Sequence, residues 1–341
     1  MTSTPVPRAS MPDVRELQRD FLLSDGGGRM FYVDGAEAPR GLPCVIAIGA
    51  FDGFHRGHQD LLARAAADAA SRGVATVAVT FDPDPDEVLS AHPAHKLLSF
   101  DDRVRALLST GAHVAVVPFT PALAELDHDA FFSRVLAPAL DIQAIHVGTD
   151  FRLGRCGAST VEVMQAWGAQ HAIEVHGHAL LEDDGVPITA TRIRTLFAQG
   201  SIEMARRELG RRPLLRGTVQ HGRGQGADMG FPTANMALHT GIQLPANGVY
   251  AGLALIDASV WPAAINAGLP PMFDSDAHSA HLEANLLGCT GDLYGRDIAI
   301  AFDRRLRPSR KFESIDALIE TVNNDIQTVR GLFGDTGVRL A

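Results

Sequence analysis

Between Pro43 and His176 short apolar runs alternate with helix-like segments, and after Leu214 that alternation stops. Val45–Ile48 reads as a strand and Gln59–Arg72 as an alanine-rich helix ending at Gly73. Val74–Phe81 is β-branched and strand-like; Asp101–Ser109 is helix-like, with acids at its start and Gly111 after its end. His113–Val117, Gln143–Val147 and Ile173–His176 are further strands, with helical Pro121–Leu136 and Thr160–Gln170 between them. Strands separated by helices of about ten to fifteen residues imply a parallel sheet covered on both faces. Ligands of such sheets sit beyond the carboxyl ends of the strands, near a topological switch point. Past Leu214 the segments Leu215–Val219, Gly248–Ile256, Trp261–Asn266, Ala280–Leu287 and Asp297–Phe302 follow one another through glycine and proline turns. Strands at that spacing without helices predict a small antiparallel barrel. A last helix, Ser314–Arg330, has a serine N-cap and a repeating apolar face.

The chain of 341 residues is long enough for two cores. The expected division is an extension over 1–40, an α/β domain over 41–198, a linker over 199–213 and a barrel domain over 214–335. The linker region reads as two short helices, Thr189–Gln199 and Ile202–Leu209, joined at Gly200-Ser201. A net charge of −10 argues against a general nucleic-acid binder. Lys96 and Lys311 are the only lysines, and no G-K-[ST] triplet exists, which excludes a Walker-type phosphate loop. No G-x-G-x-x-G occurs, so the usual dinucleotide fingerprint is missing. Cys44, Cys156 and Cys289 are scattered and form no C-x-x-C pair, which fits a reducing compartment. No secretory h-region and no membrane-length apolar run is visible, so a cytoplasmic protein is expected, with no membrane partner.

Chemistry concentrates first at Gly49-Ala50-Phe51-Asp52-Gly53-Phe54-His55-Arg56-Gly57-His58. The run leaves a strand and opens a helix, where free N–H groups and the helix dipole meet an anion. His55 and His58, spaced H-x-x-H, present two imidazoles from one helical turn. This stretch resembles the HxGH signature of nucleotidyltransferases. Gly148-Thr149-Asp150-Phe151-Arg152 follows a later strand and places polar groups at the same sheet edge. Ile188-Thr189-Ala190-Thr191-Arg192-Ile193-Arg194 brings hydroxyls and arginines to a helix start. There a threonine serves either as a cap or as a phosphate ligand. In the second half, Gly222, Gly224 and Gly226 precede Gly230-Phe231-Pro232-Thr233-Ala234-Asn235. The Thr233 hydroxyl and the Asn235 carbonyl are hard oxygen donors suited to Mg²⁺ held partly by a nucleotide. Glu283 lies in an alternating strand, either as a solvated carboxylate or as a base for a hydroxyl attacking a γ-phosphate.

From about residue 43 to 332 the chain is similar to the bacterial bifunctional riboflavin kinase/FAD synthetases. Gly49–His58, Gly148–Gly154 and Ile188–Arg194 match the motifs of that family's adenylyltransferase module. Gly230–Asn235 matches the magnesium and ATP motif of its kinase module, and Glu283 falls where that family has its catalytic glutamate. Asn247-Gly248-Val249-Tyr250, Asp292-Leu293-Tyr294-Gly295 and Arg310-Lys311-Phe312 match further motifs. The resemblance implies a doubly wound nucleotidyltransferase domain followed by a riboflavin kinase-type barrel with a terminal helix. It implies phosphorylation of riboflavin to FMN, then adenylylation of FMN to FAD with release of pyrophosphate. The catalytic group would be His55, His58, Arg194 and Glu283. Gly49, Phe51, Asp52, Gly57, Asp150, Phe151, Thr191, Gly222, Gly230 and Pro232 would line the nucleotide and flavin sites. Thr233 and Asn235 would hold Mg²⁺, with ATP as co-substrate and at most a weak homo-oligomer.

Several positions depart from that pattern. Asp84 replaces a usual histidine in Asp82-Pro83-Asp84-Pro85 and changes local charge by about one unit at neutral pH. Ala50, Ala190, Ser159-Thr160, Ala227 and Met272 stand at other altered positions. Two alternatives follow: a riboflavin kinase with a degenerate adenylyltransferase module, or a flavin-binding regulator that keeps the pockets without catalysis.

Overall fold

The structure, a computed structural model, describes residues 10–221, 231–268 and 282–340. Gly222, Gly230, Ala227 and Met272 lie outside the described residues. The chain divides into two compact units, residues 22–192 and residues 1–21 with 193–341.

The first unit is built on a six-stranded sheet in the order β1-β4-β3-β2-β5-β6. These strands are β1 (Met30–Tyr32), β2 (Leu42–Ile48), β3 (Ala75–Asp82), β4 (His113–Pro118), β5 (Leu140–Gly148) and β6 (Glu174–His178). Every pairing is parallel, as the alternating pattern requires. The central strands are apolar nearly throughout: Val45, Ile46, Ala47, Val77, Ala78, Val79 and Val114–Val117 are fully buried. Helices on both faces leave no solvated side on which a polar residue would be favoured. β2 and β5 are neighbours, and the connection after β2 runs to β3 on one side while the connection after β5 runs to β6 on the other. That is the switch point, and the loops after β2 and β5 open side by side at the carboxyl edge. The edge strand β1 lies within the segment read as an extension; three residues are too few to show a period.

The helix α2 (Arg56–Arg72) follows β2 and ends at Gly73, whose φ of +68° takes the left-handed conformation that favours glycine. The helices α3 (Pro85–Leu89) and α4 (Phe100–Leu108) follow β3. The predicted helix over Pro121–Leu136 is broken into Pro121–Ala124, His128–Ala130 and a π-type turn at Phe131–Leu136.

The short strands β7 (Glu182–Asp183) and β8 (Val186–Pro187) pair as a hairpin after β6. In the second unit, β9 (Leu214–Gln220), β10 (Ala234–Leu238), β11 (Gly248–Ile256), β12 (Ser259–Ala267), β13 (Leu282–Leu286) and β14 (Asp297–Pro308) form an antiparallel barrel. The order β11-β14-β9-β10-β13-β12 closes through β12–β11 pairing. Closure removes the exposed edges that six short strands would otherwise present. Tyr250, Ile265, Ala284, Ile300 and Phe302 fill the interior. The Tyr250 hydroxyl donates to the Ala246 carbonyl, which accounts for a tyrosine in an apolar core. The terminal helix is Ile315–Phe333, with the Ser314 side chain accepting from the Ala317 N–H.

The early helix α1 (Val14–Asp20) belongs to this second unit. Leu17 and Phe21 are fully buried in it. The buried Arg212 side chain meets Glu16 at 2.8 Å and Asp303 at 2.9 Å, and also binds Asp20. Arg206 joins the same cluster through Glu16 and Asp303.

Candidate active sites

In the first unit the turn after β2 is strained to serve α2. Phe51 has φ +54°, a left-handed conformation that costs a non-glycine residue about 1–2 kcal/mol. The turn sets the Phe51 ring edge-on to His58, centroids 5.2 Å apart. His55 caps α2: its Nδ1 accepts from the His58 N–H at 3.4 Å. The two imidazoles stack with centroids 3.7 Å apart. A Cβ on Gly57 would lie 3.1 Å from the His55 ring, so glycine lets the ring lie against the first helical turn. His58 keeps an edge open to a cavity but is otherwise enclosed. That burial, with His55 beside it, pushes its imidazole well below the usual histidine range. Its Nδ1 is buried and has no hydrogen-bond partner among the described residues.

The cavity has a volume of about 210 Å³. Gly49, Phe51, His55, Gly57 and His58 line it from the β2 side, and Gly148, Asp150 and Phe151 from the β5 side. Ile188, Thr189 and Ala190 add the start of the helix Ala190–Ala198. A Cβ on Gly148 would come 2.7 Å from Asp150 Oδ1, so glycine leaves that carboxylate its present position at the cavity. Thr189 Oγ1 accepts from the Arg192 N–H at 3.1 Å, so it both caps the helix and lines the cavity. Thr191 is exposed, and Arg194 lies one turn farther along the same helix. Asp52 is turned elsewhere: its buried carboxylate accepts from the Leu97 N–H at 2.9 Å and the Leu98 N–H at 3.2 Å, pinning that loop. The lining also includes His178, which the strand predicted to end at His176 left out. The alternation His176-x-His178 was the available signal.

A second cavity of about 600 Å³ adjoins the same turn. Ala50, Phe81, Leu89, Phe119, Phe131 and Leu153 give it apolar walls, and Phe151 borders both cavities. Asp84 stands near it as an internal anchor. The carboxylate is buried, paired with Arg103 and held 3.0 Å from Lys96. Arg103 also donates to the carbonyls of Ala50 at 3.0 Å and Phe81 at 2.7 Å. The acid that departs from the histidine pattern is thereby neutralised and joins the ends of β2 and β3. Ser159 and Thr160 are likewise occupied: Ser159 Oγ lies 2.9 Å from His128 Nδ1, and Thr160 caps the helix Val161–His171.

In the barrel, register brings the other group together. Asn235 on β10 stands directly opposite Glu283 on β13, and Glu283 stands opposite Asn266 on β12. Residues opposite one another share a face. Ala234, Met236, Leu282 and Ala284 take the interior, so the carboxylate and its two carboxamide neighbours lie in a row outside it. Asn285 follows two residues later, and its side chain donates to the Pro232 carbonyl at 2.7 Å. This holds the Pro232–Thr233 turn against β13. Tyr294 stacks on His221 with centroids 3.7 Å apart. Thr233 and Asn235 supply a hydroxyl and a carbonyl oxygen, hard donors that fit Mg²⁺, and the Glu283 carboxylate stands beside them.

A parallel sheet with an imidazole pair on a helix start at its switch point defines a nucleotidyltransferase-type unit, here followed in one chain by a small closed barrel. Residues 38–192 match the FAD synthetase family and residues 209–333 the riboflavin kinase family. The bifunctional riboflavin kinase/FMN adenylyltransferase of Pseudomonas fluorescens is 34% identical, covering 87% of this chain and 95% of that one. The Bacillus subtilis enzyme of the same name is 32% identical over 85% and 93% of the two chains. A Streptococcus pneumoniae crystal structure described as a macrolide-efflux protein has a TM-score of 0.80 at 27% identity, covering 88% of this chain and 98% of that one. Among the described residues no helix is long and apolar enough to cross a membrane. The chain belongs to the bifunctional riboflavin kinase/FMN adenylyltransferase family.

Proposed function

We infer that the protein makes FMN from riboflavin in its barrel unit and FAD from FMN in its α/β unit, using ATP in both steps. The observation that carries this reading is that the imidazole-pair motif lines a cavity within residues 22–192, while Asn235 and Glu283 are paired across strands of the barrel unit.

In the barrel, the riboflavin 5′-hydroxyl attacks the γ-phosphorus of ATP, its proton passes to Glu283, and ADP leaves. Support for this role is the pairing of Glu283 opposite Asn235, two residues before the Asn285 that holds the Pro232–Thr233 turn. Thr233 and Asn235 would hold Mg²⁺, which when bound supplies charge neutralisation on the phosphates.

In the α/β unit, an oxygen of the FMN phosphate attacks the α-phosphorus of a second ATP. The bond to the β-phosphate oxygen breaks, and pyrophosphate leaves. The reaction needs positioning and charge stabilisation rather than a covalent enzyme intermediate. The α2 amides and the His55–His58 pair offer that to the triphosphate, and a phosphate oxygen would satisfy the orphaned polarity at His58. Arg194 would add charge on the same nucleotide. The larger apolar cavity suits an isoalloxazine ring, with Phe151 dividing it from the phosphate side. The pairing of Asp84 with Lys96 and Arg103 removes the reason to expect a degenerate adenylyltransferase module.

The test is incubation with riboflavin, ATP and Mg²⁺ followed by chromatography of the flavins. FMN followed by FAD is expected. FMN that accumulates without conversion, also when supplied directly, would overturn the adenylyltransferase half. Unchanged riboflavin would overturn the kinase half.

A further inference from the structure

Between α2 and the sheet lies a group of side chains that neither reaction uses. His146 projects from β5, His176 and His178 from β6, and Asp68 from α2. His146 and His176 are register partners on adjacent parallel strands, so they share a face, and His178 follows two residues on. His146 is buried, and its Nε2 lies 3.0 Å from Asp68 Oδ2. His176 Nε2 lies 3.9 Å from the same oxygen. One ligating atom from each of Asp68, His146 and His176 falls within 4.8 Å of the others.

We propose that Asp68, His146 and His176 form a binding site for a divalent transition cation of the Zn²⁺ class, separate from the Mg²⁺–nucleotide site of the barrel. A four-coordinate Zn²⁺ with bonds of about 2.0–2.2 Å sets its ligand atoms roughly 3.4 Å apart. The separations here straddle that value, and the His176 side chain, 39% exposed, has room to turn inward. Two imidazoles and one carboxylate favour such a cation over Mg²⁺, which prefers an all-oxygen shell. The surroundings are those of oriented ligands. Arg72 Nε holds Asp68 Oδ1 at 2.7 Å, leaving Oδ2 for the ion. Arg72 is itself held by Glu174 at 3.0 Å, and Glu174 Oε2 lies 3.4 Å from His176 Nε2. The charged neighbours are therefore Asp68 and Glu174 against Arg72, with Asp60 and Arg64 paired nearby toward His178. The sum is negative before a cation enters.

The site connects to the nucleotide cavity through one hydrogen bond, His146 Nδ1 to His178 Nε2 at 2.9 Å. With a proton on His146 Nε2, that atom donates to Asp68 and Nδ1 accepts from His178. A cation on Nε2 takes that lone pair, so Nδ1 carries the proton and donates to His178 Nε2. The His178 proton then resides on Nδ1. Each ring keeps one proton, and the ring that lines the cavity changes its tautomer.

The test uses the full chain, stripped with a chelator and titrated with Co²⁺ alone, then with Zn²⁺. One equivalent of Co²⁺ should give the visible absorption of a low-coordinate ion, and Zn²⁺ should abolish it. His176→Ala, at a partly exposed position, should fold as judged by circular dichroism and weaken binding at least tenfold. His176→Asn serves the same purpose if the alanine variant does not fold. A wild-type chain that takes up neither ion overturns the proposal. So does a folded variant that binds as tightly as wild type, because the ion would then sit elsewhere.

Discussion

Two side chains carry opposite kinds of argument at the scale of the residue. Glu283 is placed by strand pairing alone, opposite Asn235 and Asn266, with a plain alternating strand around it. Replacing a general base removes about 10²–10⁴ in rate. Glu283→Gln should therefore lower riboflavin phosphorylation by that order, while conversion of supplied FMN to FAD stays at the wild-type rate. Equal loss in both assays would mean a structural role. His58 is instead placed by enclosure. Its folded-state pKa lies below that of the unfolded chain, so below the ordinary histidine value of about 6.5 the unfolded chain binds the proton first. Stability from this group is present above that pH and is lost as pH falls through it, by up to about 1.4 kcal/mol per pH unit. Urea midpoints of the α/β unit should thus drop between about pH 7.5 and pH 5.5, and drop less in His58→Asn. The same pH slope in both proteins would remove His58 as the cause. The sequence made these two residues visible as candidates, since histidine spacing after an apolar run and a charge within an alternating strand are local signals. It put Thr191 at the nucleotide site, whereas the threonine that lines the cavity is Thr189. Which of two threonines faces a cavity depends on where the helix starts, and a shift of one residue turns a side chain by about 100°.

At the scale of the element, the alternating pattern was legible because hydrophobic burial writes a period into each strand and helix. What joins the ends of β2 and β3 was not, because it is a tertiary pair. Asp84 begins α3, reaches Lys96, and meets Arg103 on α4, which in turn binds the carbonyls of Ala50 and Phe81. An acid in place of a histidine, read along the chain, suggests a damaged site; the folded partners make it a strut. Removing one member of a buried pair leaves the other charge without compensation, at a cost of about 3–5 kcal/mol. Asp84→Ala should destabilise the α/β unit by that order and loosen the turn that carries Phe51 and His55. The measurement is a denaturation midpoint together with the FMN-to-FAD rate. A midpoint within about 0.5 kcal/mol of wild type, the range of ordinary surface substitutions, would show that Asp84 is not the strut described. The His146–His176 pairing was hidden for a related reason. Its members come from β5, β6 and α2, and no local spacing links Asp68 to His146.

At the scale of the whole molecule, chain order and unit membership part company. Residues 14–20 precede the α/β unit in sequence but fold with the barrel unit. The link is a cluster in which Glu16, Asp20 and Asp303 surround Arg206 and Arg212, with Leu17 and Phe21 buried beside it. The three carboxylates hold the Arg212 guanidinium charged despite its burial. Sequence patterns report on neighbours along the chain, and Glu16 and Asp20 lie about 190 positions from their arginine partners. The consequence separates the two activities. Deleting residues 1–21 removes two of the three acids and two core side chains from the barrel unit, each apolar side chain worth about 1.5–3 kcal/mol. A domain holds only about 5–15 kcal/mol in all, so the loss is a large share of it. The truncated chain should lose riboflavin phosphorylation on mild warming, at a temperature the intact chain tolerates. Conversion of supplied FMN to FAD should fall much less under the same treatment, because residues 22–192 keep their own sheet, core and imidazole pair, and only Arg194 of the proposed site lies beyond them. Parallel loss of both activities would instead mean that α1 supports the α/β unit as well, and the division at Phe21 would not be the one that governs stability.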